Sequence, residues 1–207
     1  MNCDMKKCIS AHPYKFVIGI FIIIVGIIGA TSAYSSYRQN QAMKLAQKYF
    51  TMSTQLQAIN VDEKSITSTM QEIDSINKNS IYSNMGHLLV AKYFFEHKKY
   101  DASLESVKFV IDHSANDNML LLAYLRLGNI YIAKQDFEAV RQVILDKNLT
   151  GNVAFAPAIY ELKGDMYLAQ KNYSEAIASY KQILKLDVSE DVKRGVKIKL
   201  QLLGVNS

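Results

Sequence analysis

Eighteen consecutive residues, Phe16 to Ala33, carry no charge, and eleven of the first thirteen are Phe, Val or Ile. As a helix such a stretch rises about 27 Å, close to the hydrocarbon thickness of a bilayer. It is apolar on every face, whereas a helix that only lines a soluble core keeps a polar stripe. The β-branched run from Ile22 to Ile28 is a mediocre helix former in water. In lipid the backbone has no partner but itself, so helix wins. The sequence therefore predicts a single transmembrane helix over 16–34. Gly19, Gly26 and Gly29 lie seven and three apart, so the four-residue spacing of small residues that pairs membrane helices is missing.

Lys6, Lys7 and Lys15 precede the apolar stretch and Arg38, Lys44 and Lys48 follow it, so the flanking positive charge does not orient it by count. A 15-residue tail is easier to retain than the other flank, which predicts a cytoplasmic tail over 1–15 and export of 35–207. A cleaved signal peptide is the alternative, since Thr31-Ser32-Ala33 offers a small-residue cleavage site. Against it, the apolar core is longer than a signal sequence needs, and no Cys follows it for lipid attachment.

The net charge of +5 is local. Residues 1–60 hold six Lys/Arg against one acid, Asp4, while 61–207 hold 18 of each sign. The basic surplus lies beside the membrane, where anionic headgroups are its natural partner, and the neutral remainder argues against nucleic-acid binding. Both cysteines, Cys3 and Cys8, fall in the tail. A domain without Cys tolerates an oxidising compartment, and two thiols alone do not make a zinc site.

Beyond the apolar stretch, Ala42, Leu45, Ala46, Tyr49, Met52, Leu56 and Ile59 fall on one helical stripe. Asp62 is placed to cap a second helix with Ile66, Met70, Ile73 and Ile76 on its inner face. From there the chain repeats itself. Ala91, Gly128 and Gly164 are 37 and 36 apart, and so are Tyr100, Phe137 and Tyr173. Each small residue sits within an apolar run and each aromatic follows a polar break, at His97-Lys-Lys99, Lys134-Gln-Asp136 and Gln170-Lys-Asn172. Two registers with one period describe a repeated helix hairpin. The small residue lets the partner helix approach, the aromatic fills the gap, and the pairs stack because neither helix covers its own apolar face. Repeats are expected near 84–113, 121–147 and 157–186. Pro157 suits the first turn of the third repeat. Ser189 opens a capping helix over 189–204, with Val192, Val196, Leu200 and Leu203 inward and Lys193, Arg194, Lys197 and Lys199 outward.

These residues resemble the tetratricopeptide repeat, a pair of helices in 34 residues. The third copy carries Tyr160, Gly164, Tyr167, Tyr173, Ala176 and Tyr180, with Lys163 in place of the usual Leu. The second carries Tyr124, Leu127, Gly128, Tyr131 and Phe137, with Ala139 one place early, and the first copy is weak. The longer period predicts longer turns between repeats. The expected fold is all-α, one N-terminal transmembrane helix followed by a tetratricopeptide-like solenoid over 35–207. This layout, with Glu-Leu-Lys-Gly-Asp at 161–165, is similar to the YfgM family of bacterial inner-membrane proteins. That resemblance implies an ancillary subunit of the Sec translocon with a periplasmic domain. It also implies a membrane-anchored periplasmic prolyl isomerase-type chaperone as partner, and contact with exported clients.

No catalytic pattern accompanies the repeats. His12, His87, His97 and His113 show no metal-ligand spacing, and neither a phosphate loop nor a nucleophile elbow occurs. No catalytic residue, metal site or cofactor is expected, and a binding module leads. In the resembled repeat the first helices line a groove. Carried over, that groove comprises Lys92, Phe95, Leu125, Asn129, Ile132, Glu161, Asp165 and Leu168, a mixture suited to a peptide or a partner helix. Leu125 and Ile132 have a second reading, as packing between repeats.

Overall fold

The computed structural model describes residues 13–58, 60–150 and 152–205. The tail cysteines, Lys6, Lys7, His12 and Ile59 lie outside the described residues. Among the described residues every regular element is helical. The first, α1 (Pro13–Gln55), is a continuous helix of 43 residues. Its apolar part is sheathed in exposed side chains, with Phe21 66% and Ile22 63% accessible. Such a sleeve is stable in hydrocarbon and not in water, and α1 is long and apolar enough to cross a membrane.

The chain divides into two compact units, one ending at Gln47 and one beginning at Lys48. In the second unit α2 (Glu63–Asn77) starts where Asp62 accepts a hydrogen bond from the Lys64 amide at 3.1 Å. It buries Ile66, Met70 and Ile73. Three hairpins follow. They are α3 (Ile81–Glu96) with α4 (Tyr100–His113), α5 (Asp117–Ala133) with α6 (Phe137–Leu145), and α8 (Ala156–Ala169) with α9 (Tyr173–Ile183). A short α7 (Lys147–Thr150) and a 3-10 turn (Val153–Phe155) precede α8, and α10 (Glu190–Leu202) ends the series. Each hairpin packs on the next, α4 against α5, α5 and α6 against α8, and α9 against α10. The fold is the expected all-α repeat solenoid.

The hairpins close by the same device. Lys98, Gln135 and Lys171 adopt φ of 59°, 60° and 60°, and they too are 37 and 36 apart. In each loop the next amide donates back across the helix end: Lys99 to the Phe94 carbonyl at 2.8 Å, Asp136 to Tyr131 and Asn172 to Tyr167 at 2.9 Å. These six-to-one bonds satisfy carbonyls that a helix terminus otherwise leaves open. Asp136 and Asn172 then cap the next helix, accepting from the Ala139 and Glu175 amides at 3.1 and 3.3 Å. Where the period exceeds 34, longer turns appear only before α8. The α4–α5 turn is three residues, Ser114 to Asn116, and the excess there is taken up by helix length, 16 residues in α3 and 17 in α5.

Small residues set the helix spacing. A methyl added at Gly164 would meet the Tyr180 ring at 2.3 Å, and one at Gly128 would meet Leu162 Cδ2 at 2.6 Å. The first contact lies within a hairpin and the second joins successive hairpins. At the buried side of each second helix stand Ser103, Val140 and Ala176, at most 1% exposed, so Val140 takes the place that Ala139 just misses. The Ser103 hydroxyl donates to the Ala91 carbonyl at 2.7 Å, which lets a polar residue fill that position in the first repeat.

Three expectations fail locally. Tyr100 and Phe137 pack against the core, but Tyr173 is 53% exposed, because Tyr180, two turns along α9, already fills the gap over Gly164. On α10, Val196 and Leu200 are buried, whereas Val192 is 41% exposed, so the inward stripe starts one turn later. Lys199 turns inward instead of outward. Its ammonium donates to Glu161 and Asp165 at 2.8 Å each and lies 5.3 Å from the centre of the Tyr180 ring. Tyr180, wholly buried, donates its hydroxyl to the same Asp165 oxygen at 2.6 Å. Burial, then Asp165, pushes the Tyr180 phenol far above its ordinary range. Burial opposes the Lys199 charge, but the two carboxylates outweigh it and raise its pKa.

Thermal unfolding of two glycine variants tests the spacing argument. Gly164→Ala is expected to cost about 2–3 kcal/mol by overpacking against a rigid ring. Gly195→Ala, with nothing within 4 Å of the added methyl, is expected to gain up to about 1 kcal/mol from helix propensity. Asp165→Arg is expected to cost about 3 kcal/mol, since it strands a buried hydroxyl and opposes Lys199. An unchanged Tm for this third variant would remove the network from the account of the cap.

Candidate functional site

The cavity that gathers half of the expected groove residues lies between α3, α4 and α5 and measures about 360 Å³. One stripe of α5 forms a wall, with Leu122, Leu125, Arg126, Asn129 and Ile130 at steps of three and four residues. On α3, Ala91, Lys92 and Phe95 face it, and Ser103 of α4 closes it. Ala91, Ser103 and Ile130, each 1% exposed, form the floor, whereas Leu122 is 41% exposed. The Phe95 ring is held 5.6 Å from that of Tyr100 at the start of α4.

Four of the eight expected residues, Lys92, Phe95, Leu125 and Asn129, therefore share one cavity. Ile132 packs against the hydrophobic core, and Leu125 does so while also lining the cavity. Glu161 and Asp165 are engaged by Lys199 of α10, and Leu168 is 38% exposed on α8. The capping helix thus reaches the third repeat's polar positions.

Arg126 is the residue that the repeat pattern did not single out. Its Nε is buried and has no hydrogen-bond partner. Burial presses its pKa below the usual guanidinium range, and the charge of Glu96 offsets part of that. Glu96 itself pairs with Lys92 at 3.7 Å. The signal for Arg126 was a lone charge inside the largely apolar run Met119 to Ile132 of α5.

A second cavity of about 420 Å³ lies among α2, α3 and α4 and is bordered by Asp74, His87 and Phe109. Ser83 donates its hydroxyl to Asp74 Oδ1 at 2.5 Å, and His87 Nε2 lies 3.1 Å from Asp74 Oδ2. Since a carboxylate only accepts, Nε2 carries the proton. A nucleophilic relay needs the imidazole between hydroxyl and acid; here the acid is in the middle, which is a structural bridge between α2 and α3. The His87 ring stacks on Phe109 at 3.7 Å. Among the described residues no three His, Cys, Asp or Glu side chains gather as metal ligands.

Residues 12–205 match the family described as tetratricopeptide repeat-like domain. Over 132 residues, 64% of its length, the chain is 26% identical to a Neisseria gonorrhoeae (strain ATCC 700825 / FA 1090) protein named ancillary SecYEG translocon subunit. Over 128 residues, 62% of its length, it is 24% identical to a protein of the same name from Buchnera aphidicola subsp. Acyrthosiphon pisum (strain APS). The matches span 62% and 65% of those relatives, in both cases under two thirds. No solved structure matches. These findings support the YfgM-like resemblance, and a repeat scaffold of this type suggests a non-catalytic protein. Because the family match runs through the apolar helix and all three hairpins alike, the chain belongs to the tetratricopeptide repeat-like domain family.

Proposed function

We propose that this protein is a non-enzymatic, membrane-anchored interaction scaffold that serves the Sec translocon as an ancillary subunit. The observation that carries the reading is the union, in one chain, of a helix able to span a bilayer with a repeat domain matching that family. The two named relatives support the translocon as the assembly. In this reading residues 1–15 are cytoplasmic, 16–34 span the bacterial inner membrane, and 35–207 form the periplasmic domain. Capture of a partner is assigned to the α3–α5 cavity. A membrane-anchored periplasmic prolyl isomerase-type chaperone is the proposed second partner, joined to the translocon so that exported clients pass between them. Tethering favours this arrangement physically: an anchored binding module meets a membrane-embedded channel at high effective concentration, so a weak contact suffices.

Crosslinking in membranes and native purification of the full-length protein, with mass spectrometry of partners and N-terminus, tests the proposal. Recovery of tail peptides with Sec channel subunits and a periplasmic chaperone is expected. A chain starting near Tyr34 with no translocon attached would instead establish a signal-cleaved soluble protein of envelope assembly. The topology has a built-in probe, since Cys3 and Cys8 are the only thiols. A membrane-impermeant maleimide is expected to label them only after the inner membrane is permeabilised; labelling in intact spheroplasts would reverse the orientation.

A further inference from the structure

The chain has four arginines, and three have an evident partner. Arg38 lies 6.0 Å from the centre of the Tyr34 ring, Arg141 pairs with Glu138 at 2.9 Å, and Arg194 pairs with Asp191 at 3.3 Å. Arg126 has neither an ion pair nor a hydrogen bond among the described residues, although its Nε is fully buried. It also lines the cavity whose other walls are Phe95, Leu122 and Leu125. The two charged side chains on that cavity, Lys92 and Arg126, are both positive. A donor buried without a partner destabilises the fold, and a planar guanidinium fork is matched by a carboxylate.

We propose that this cavity receives a partner segment in which an apolar side chain stands beside an acidic one. The apolar group lies against Phe95, Leu122 and Leu125, and the carboxylate accepts from Arg126. Lys92 at the rim steers the acid and sets the salt dependence. Charge complementarity thus names the occupant's chemistry, and Arg126 is the residue that selects it. The proposal rests on the repeat domain as a partner-binding surface and not on the identity of the translocon partner.

The test uses full-length protein in phosphatidylcholine nanodiscs and fluorescence anisotropy of blocked peptides that differ only in a central Leu-Glu-Glu-Phe, Leu-Gln-Gln-Phe or Leu-Lys-Lys-Phe. The acidic peptide is expected to bind best, to weaken with salt, and to lose at least tenfold in affinity with Arg126→Gln. Arg126→Met is expected to raise Tm while abolishing the preference for the acidic peptide, a pair of readouts that a structural arginine would not give. Equal binding of the three peptides, no binding at all, or unchanged affinity in Arg126→Gln would overturn the site. So would binding of phosphatidylglycerol vesicles through Arg126 without peptide binding. Acidic-peptide selectivity without Sec subunits in native purification would leave the site standing and remove the translocon reading; the converse would do the reverse.

Discussion

The face of the Tyr180 ring lies against the backbone of Gly164, at a distance that even one methyl group would violate, and much of the third hairpin follows from that contact. Two helices approach this closely only if one surface is bare backbone. Once they do, the ring's far end reaches Asp165, and Asp165 is thereby aimed at the place where Lys199 arrives from α10. The closing helix is thus registered on the last repeat by a chain of three groups that begins at a missing side chain. The same logic acts between hairpins, where Gly128 admits Leu162. Gly86 is the soft version, with the flexible side chains of Met70 and Met52 as its neighbours.

The loops contribute a second constraint. A left-handed residue at Lys98, Gln135 and Lys171 is unfavourable for a side chain with a Cβ, yet none of the three is glycine. Each is sustained by a six-to-one hydrogen bond and a tight reversal that brings the second helix onto the first. The loop geometry recurs at 37- and 36-residue intervals, so every hairpin reverses through the same kind of turn. Stacking such units buries apolar faces that a single hairpin leaves in water.

Most of this was legible in the sequence because periodicity is a property of many residues at once. Ala91, Gly128 and Gly164 announced the close approaches, and Asp62, Ser189 and Pro157 marked helix starts that the structure retains. What escaped were choices between equivalent neighbours. Tyr173 and Tyr180 are both aromatics on α9, and pattern alone did not say which would lie on Gly164. Lys199 adjoins the buried Leu200, so its aliphatic stem follows the apolar stripe while its head finds two acids on another helix, a pairing across 34 residues that no local pattern encodes. That pairing is why Glu161 and Asp165 stand with the cap and not with the cavity.

Arg126 poses the converse problem, a residue whose local context argues against it. The α5 stripe facing the cavity is otherwise Leu122, Leu125, Asn129 and Ile130, and a Leu or Met would complete it without leaving a buried donor unpaired. An unsatisfied charged donor costs on the order of 1–3 kcal/mol, a large share of the few kcal/mol that separate folded from unfolded chains. In the cap network, by contrast, Lys199, Asp165 and Tyr180 satisfy one another and the burial is compensated within the fold. Glu96 offsets part of the burial of Arg126 through space, but no group of the domain accepts from its Nε, and the surroundings define what an outside partner would have to supply. An apolar recess flanked by two cations repels a basic segment, gains little from a neutral one, and gives a carboxylate beside an apolar side chain both of its contacts at once.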